Sequence, residues 1–131
     1  MNWQTVYESF LNNPRDVKTT PKTSRTPLWF FVYAEDDNLY IENAKNHINS
    51  SKITQRRKLD KNNFSKMTDL NDRRDRGFSV SKEATSVTVN QVYWFGIFHD
   101  LQQWKKQYYK KQKQRFLSPC FFCAGRIQRA E

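Results

Sequence analysis

Glycine is scarce in this chain: three residues in 131, Gly77, Gly96 and Gly125, scattered too widely to form a loop that cradles phosphates. P-loop nucleotide hydrolysis is thereby excluded. Cysteine is rarer still. Cys120 and Cys123 have the spacing of zinc ligands, but a structural zinc site takes four ligands and no second Cys-x-x-Cys occurs. Nothing in the spacing of the two histidines, His47 and His99, completes a set. The pair therefore reads as free thiols, with no metal and no cofactor, and the βαβ context of a redox pair is not evident. Hydrophobic runs are short: "LWFFVYA" from Leu28 and "VYWFGIF" from Val92 fall far below the roughly 20 residues of a membrane span. In "MNWQTVYESFLNNP" no basic stretch precedes a hydrophobic one and Glu8 interrupts the segment, so it does not read as a secretory signal. The expectation is a cytoplasmic protein with reduced thiols and no membrane partner.

What the chain has instead is rings and positive charge. Aromatic residues make up 15% of it, so large rings must fill the core of a single domain spanning 1–131. The net charge of +10 is uneven: residues 1–40 hold four Lys/Arg against five Asp/Glu, residues 41–86 eleven against six, and residues 87–131 eight against two. Positive charge gathered in the last two-thirds suits a polyanion, DNA or RNA, because neutralising phosphates releases counterions.

Local patterns place the elements. Trp3, Val6, Tyr7 and Phe10 stand at i, i+3, i+4 and i+7, one face of a short helix that Pro14 cannot continue. Residues 13–27, polar and broken by prolines, read as an extended connector that can order against a sheet. Two β-prone segments, Leu28–Ala34 and Leu39–Glu42, flank Glu35-Asp36-Asp37-Asn38, whose residue types suit a hairpin turn. Both faces of the first strand are apolar, with Trp29, Phe31 and Tyr33 on one, and large apolar residues are usually interior, so coverage on both sides is expected. A helix over 60–76 buries Phe64, Met67 and Leu70, with Asp60 as its cap and Gly77 at its end. Its arginines are partly neutralised by Asp69 and Asp72, four residues ahead of Arg73 and Arg76. Val87–Phe98 alternates β-branched and aromatic residues and reads as a strand, with a helix from Ser81 as the alternative for its first half. A helix over 100–117 follows, with Asp100 as N-cap, and residues 118–131 form an irregular tail.

Two segments partly resemble the paired signatures of the RNA-recognition motif, which present stacking aromatics on adjacent strands: Leu39–Ala44, with Tyr40 in the stacking place, and Arg76–Glu83. The second departs after Phe78, where Ser79, Val80 and Glu83 replace the expected small residue and two further positions, and the hairpin ahead of Leu39 is foreign to that fold. No family is assigned on these residues. For catalysis, Glu35, Asp36 and His99 are the candidates, since a metal-dependent nuclease needs clustered carboxylates. The same acids are what a tight turn selects, and the turn is the simpler reading.

The fold expected is α+β: a small antiparallel sheet of about three or four strands packed against two or three helices. The function expected is a nucleic-acid-binding protein without catalytic activity. Lys105, Lys106, Lys110, Lys111, Lys113 and Arg115 would contact phosphates, Arg56, Arg57 and Lys58 would form a second patch, and Tyr109 would stack on a base. The alternatives are an interaction protein, a homodimer among them, that uses an aromatic face such as Trp29/Phe31/Tyr33 or Tyr93/Phe95, and a small nuclease.

Overall fold

The computed structural model describes residues 2–103. The chain divides into two units, Met1–Leu101 and Gln102–Glu131. Helix α1 (Trp3–Asn12) starts where the Asn2 side chain accepts the Thr5 backbone N–H at 2.8 Å, satisfying one of the donors a helix start leaves open. Its apolar stripe buries Val6 and Phe10. The connector that follows contributes a strand, β1 (Arg15–Lys18), before the loop that leads to β2 (Trp29–Glu35). Strands β2 and β3 (Asn38–Asn43) form the expected hairpin, with Asp36 and Asp37 as the two turn residues at φ 52° and 62°. Positive φ at both positions is the backbone of the turn that matches strand twist, and aspartate tolerates it better than most residues. A short β4 (Arg57–Leu59) completes a four-stranded antiparallel sheet in the order β1-β2-β3-β4.

A 3₁₀ turn (Lys61–Asn63), begun by the Asp60 side chain on the Asn62 N–H at 2.9 Å, leads into α2 (Phe64–Asp75). The end of α2 is closed by Phe78 N–H on the Arg73 carbonyl and Gly77 N–H on the Arg74 carbonyl, both 3.0 Å, around Gly77 at φ 95°. That paired closure needs a left-handed residue, which glycine supplies without strain. Arg73 pairs with Asp69 at 3.3 Å as its spacing requires and also with Glu83 at 2.6 Å, whereas Arg76 reaches the backbone carbonyl of Asp72 rather than its carboxylate.

The segment expected as a third long strand is helical. Helix α3 (Ser81–Val87) and a helix over 91–103, here α4, replace the strand Val87–Phe98, with a turn at 89–90 between them. Trp94, Ile97, Phe98 and Leu101 stand at i, i+3, i+4 and i+7, and the first three are fully buried. Burial of that stripe outweighs the strand preference of the individual residues. Asp100 consequently lies inside α4 instead of capping it, and its carboxylate accepts from Arg15 at 2.7 and 3.1 Å. Arg15 also donates to the Asn13 carbonyl at 2.9 Å and lies over the Phe10 ring at 4.2 Å, tying α4 to the end of α1.

One core results. Phe30 and Val32 of β2, Leu39 and Ile41 of β3 and Leu59 of β4 meet Val6, Phe10, Met67, Leu70, Trp94 and Phe98 from the helices. Its rings form a continuous cluster, with Trp3 edge-on to Phe64 at 5.4 Å and Trp94 stacked on Phe98 at 5.7 Å. Helix α4 approaches the sheet at Gly96, where an added Cβ would stand 2.7 Å from the Lys18 carbonyl oxygen and 3.2 Å from the Phe30 ring. Among the described residues no helix is long and apolar enough to cross a membrane.

Candidate functional site

Side chains alternate across a sheet, so the residues between the core positions point to the other face. Trp29, Phe31 and Tyr33 of β2 and Tyr40 of β3 occupy that face, half-buried and outside the hydrophobic core. Of the two faces expected to be covered, the helices of the described residues cover one. Cross-strand pairing sets Asp16 opposite Phe31, Lys18 opposite Trp29, Tyr33 opposite Tyr40, and Tyr40 opposite Lys58. Tyr33 and Tyr40 stack with centroids 5.7 Å apart, and Phe31 lies 6.1 Å from Tyr33.

Cations lie over three of these rings. Lys45 Nζ is 4.7 Å from the Phe31 centroid, the Arg56 guanidinium 4.3 Å from Tyr40, and Lys18 Nζ 5.9 Å from Trp29. Arg56 Nη1 donates to the Tyr33 hydroxyl and to Glu35 Oε1, each at 3.1 Å, and these bonds raise its pKa further above the ordinary arginine value. Burial, helped by the neighbouring Glu42 carboxylate, pushes the Tyr33 phenol up despite the opposing pull of Arg56. Glu35 is thus engaged by Arg56 rather than assembled with other acids.

The edge of this face holds a unit for which the sequence shows no signal. Asp16, 9% exposed, accepts the backbone N–H groups of Lys45 at 3.0 Å and Asn46 at 2.7 Å, and its Oδ2 meets His47 Nδ1 at 2.8 Å. Burial alone would raise the Asp16 carboxyl, but those donors outweigh it and hold it below its ordinary value. His47 in turn lies flat on Trp29, centroids 3.4 Å apart and planes 10° from parallel. Asp16 and His47 are 31 positions apart, and Asp16 belongs to a strand hidden inside the connector, so no local pattern could pair them.

Arg56 and Lys58 belong to the ring-bearing face, whereas Arg57 pairs with Ile41 and reaches the opposite side, donating to Asn90 Oδ1 at 3.2 Å and lying 5.8 Å from the Tyr93 ring. The second basic patch therefore divides between two faces. Phe95 is buried and Tyr93 packs edge-on to Phe30 at 4.9 Å, so that pair is not an open aromatic face. Lys105, Lys106, Tyr109, Lys110, Lys111, Lys113, Arg115, Cys120 and Cys123 lie outside the described residues. Of the nuclease candidates, Asp36 is a turn residue, Glu35 is paired, and His99 is exposed on α4. Among the described residues no three His, Cys, Asp or Glu side chains gather to hold a metal ion. Arg76–Glu83 runs from the end of α2 into α3 and not along a strand beside β3, which removes the partial likeness to the RNA-recognition motif.

No protein-family model, curated protein or solved structure matches the chain. The functional reading rests on the geometry of this face and on the charge.

Proposed function

We propose that this protein binds single-stranded nucleic acid, without catalysing a reaction on it, through the ring-bearing face of its sheet. The observation that carries the reading is the set Trp29, Phe31, Tyr33 and Tyr40, four partly exposed rings outside the core with cations over three of them. Base stacking on such rings contributes about 1–3 kcal/mol per base and tolerates any sequence, while lysine and arginine track the phosphates. From Trp29 to Tyr33 the strand rises roughly 13 Å, room for two or three splayed bases. His47 already lies flat on Trp29 and closes that face of the indole, so Phe31, Tyr33 and Tyr40 are the rings left for bases. Of the acids on this face, Asp16 and Glu35 are already compensated by donors, while Glu42, opposite Phe31 and beside the Tyr33 hydroxyl, is an acid that phosphates would have to avoid. The net charge of +10 and the Lys-rich run Lys105, Lys106, Lys110, Lys111, Lys113 and Arg115, with Tyr109, supply further phosphate and stacking contacts.

The test is fluorescence anisotropy of the whole protein with labelled single-stranded and duplex oligonucleotides. Binding should favour the single strand and weaken steeply between about 50 and 200 mM salt. No binding at the lower salt removes the reading.

A further inference from the structure

A concave site lies apart from the ring-bearing face. The loop from Thr19 to Leu28, the first residues of α4 and Arg74 of α2 enclose a cavity of about 420 Å³, within the usual range for a small-ligand pocket. None of its lining residues belongs to the ring-bearing face.

Its chemistry is one-sided. Lys22, Arg25 and Arg74 line it, and no aspartate or glutamate does. Lys22 and Arg25 are exposed and take part in no ion pair among the described residues, so their charge faces the opening uncompensated. Arg74 is fixed in the wall: it donates to the Thr20 carbonyl and to Thr20 Oγ1, and its guanidinium lies 4.7 Å from the Phe95 centroid. That bond holds the loop over the cavity. The floor is aromatic and apolar, from Tyr93, Phe95 and Val92. Gln91 also lines the cavity; its Oε1 is closed off from solvent and accepts no hydrogen bond among the described residues, a cost that is relieved if the side chain turns to meet a donor on a ligand.

We propose that this cavity binds a small phosphate monoester carrying a planar head with a hydrogen-bond donor, of the size and kind of a nucleoside monophosphate. Three cations without an acid suit a dianion better than a single carboxylate. The head lies on the Tyr93/Phe95 floor, and its N–H or O–H donor meets Gln91 Oε1 once that side chain turns from its closed position. The site is independent of the nucleic-acid reading and can hold or fail by itself.

Isothermal titration calorimetry of the full chain tests it with adenosine monophosphate, uridine monophosphate, adenosine and inorganic phosphate as probes. A monophosphate should bind at least about tenfold more tightly than either adenosine or phosphate, since both halves of the site are then used. The double variant Lys22→Gln/Arg25→Gln should weaken monophosphate binding about tenfold or more at unchanged Tm, because both side chains are exposed loop cations. Tyr40→Ala, on the other face, should leave it unchanged. No heat from either monophosphate at about 5 mM, or inorganic phosphate binding as tightly as the nucleotides, overturns the proposal. So does binding that survives Lys22→Gln/Arg25→Gln but is lost in Tyr40→Ala, which would place the nucleotide on the sheet face instead.

Discussion

His47 lies on the indole of Trp29 at 3.4 Å because Asp16, buried beneath, holds its Nδ1 at 2.8 Å and fastens the two preceding backbone N–H groups of the same loop. One carboxylate in β1 thus orders residues 45–47 and occupies one end of the ring-bearing face. The arrangement makes loop order, ring exposure and pH parts of one relationship.

Asp16→Asn should lower stability by about 1–3 kcal/mol at neutral pH, the range for hydrogen bonds to a charged group that is nearly buried. The sign with pH follows from the depressed carboxyl: its contribution is fully present above the ordinary value of 3.8 and is lost as pH falls through the lower folded-state value. Urea unfolding at pH 7 and near pH 3 should therefore show the gap between wild type and variant closing in acid. A gap independent of pH contradicts this account.

Removing rings from the exposed face separates binding from folding. Phe31→Ala and Tyr40→Ala should each weaken single-strand binding by about 1–3 kcal/mol, with smaller losses of stability than a core ring would cause, because both are half-buried. Anisotropy titrations beside thermal melts give the comparison. Phe30→Ala, from the core face of the same strand, should cost about 3–5 kcal/mol of stability.

Gly96→Ala should destabilise the protein although alanine favours helix by about 1 kcal/mol. The new methyl would stand 2.7 Å from the Lys18 carbonyl oxygen, a backbone atom that moves only if β1 moves, and overpacking of this kind costs about 1–3 kcal/mol. Denaturant midpoints decide it; a more stable variant would mean that α4 and β1 separate easily.

The hairpin turn makes a paired prediction. Asp36 at φ 52° makes no side-chain hydrogen bond among the described residues, so Asp36→Gly should leave stability unchanged or raise it by up to about 1 kcal/mol through relief of the left-handed backbone. Asp37 at φ 62° accepts from Trp3 Nε1 at 3.0 Å and from Lys61 Nζ at 2.7 Å, while its backbone N–H donates to the Tyr7 hydroxyl. Asp37→Ala should therefore lower the melting temperature, and the two substitutions should differ in sign or clearly in size.

The elements legible in the sequence were those whose signals are local. Trp3, Val6, Tyr7 and Phe10 mark α1 by spacing alone, Asp60 and Gly77 bracket the turn and helix around α2, and the acids at 35–38 mark a turn between β-prone runs. Residues 87–98 went the other way because alternation and helical spacing coexist there. Val87, Val89 and Tyr93 suit a strand as single residues, yet Trp94, Ile97, Phe98 and Leu101 can share one helical face, and only the presence of the sheet and α1 beneath them chooses the helix. Strands β1 and β4, four and three residues long, are too short to carry a pattern, and they form because β2 and β3 offer edges to pair with.

Composition and spacing by themselves determined an α+β chain with an aromatic core, the Asp60 cap and the Gly77 stop, its central hairpin and its positive charge, whereas Asp100, read as a cap, lies inside α4. Tertiary structure alone decided which rings are spent on the core and which are left at the surface. Phe30 and Phe31 are neighbours with the same side chain, and they differ only in which face of β2 the helices cover. The same holds for Asp16 with His47, for Arg74 with Thr20, and for the cavity that Arg74 closes: long-range pairs that no period in the sequence can announce.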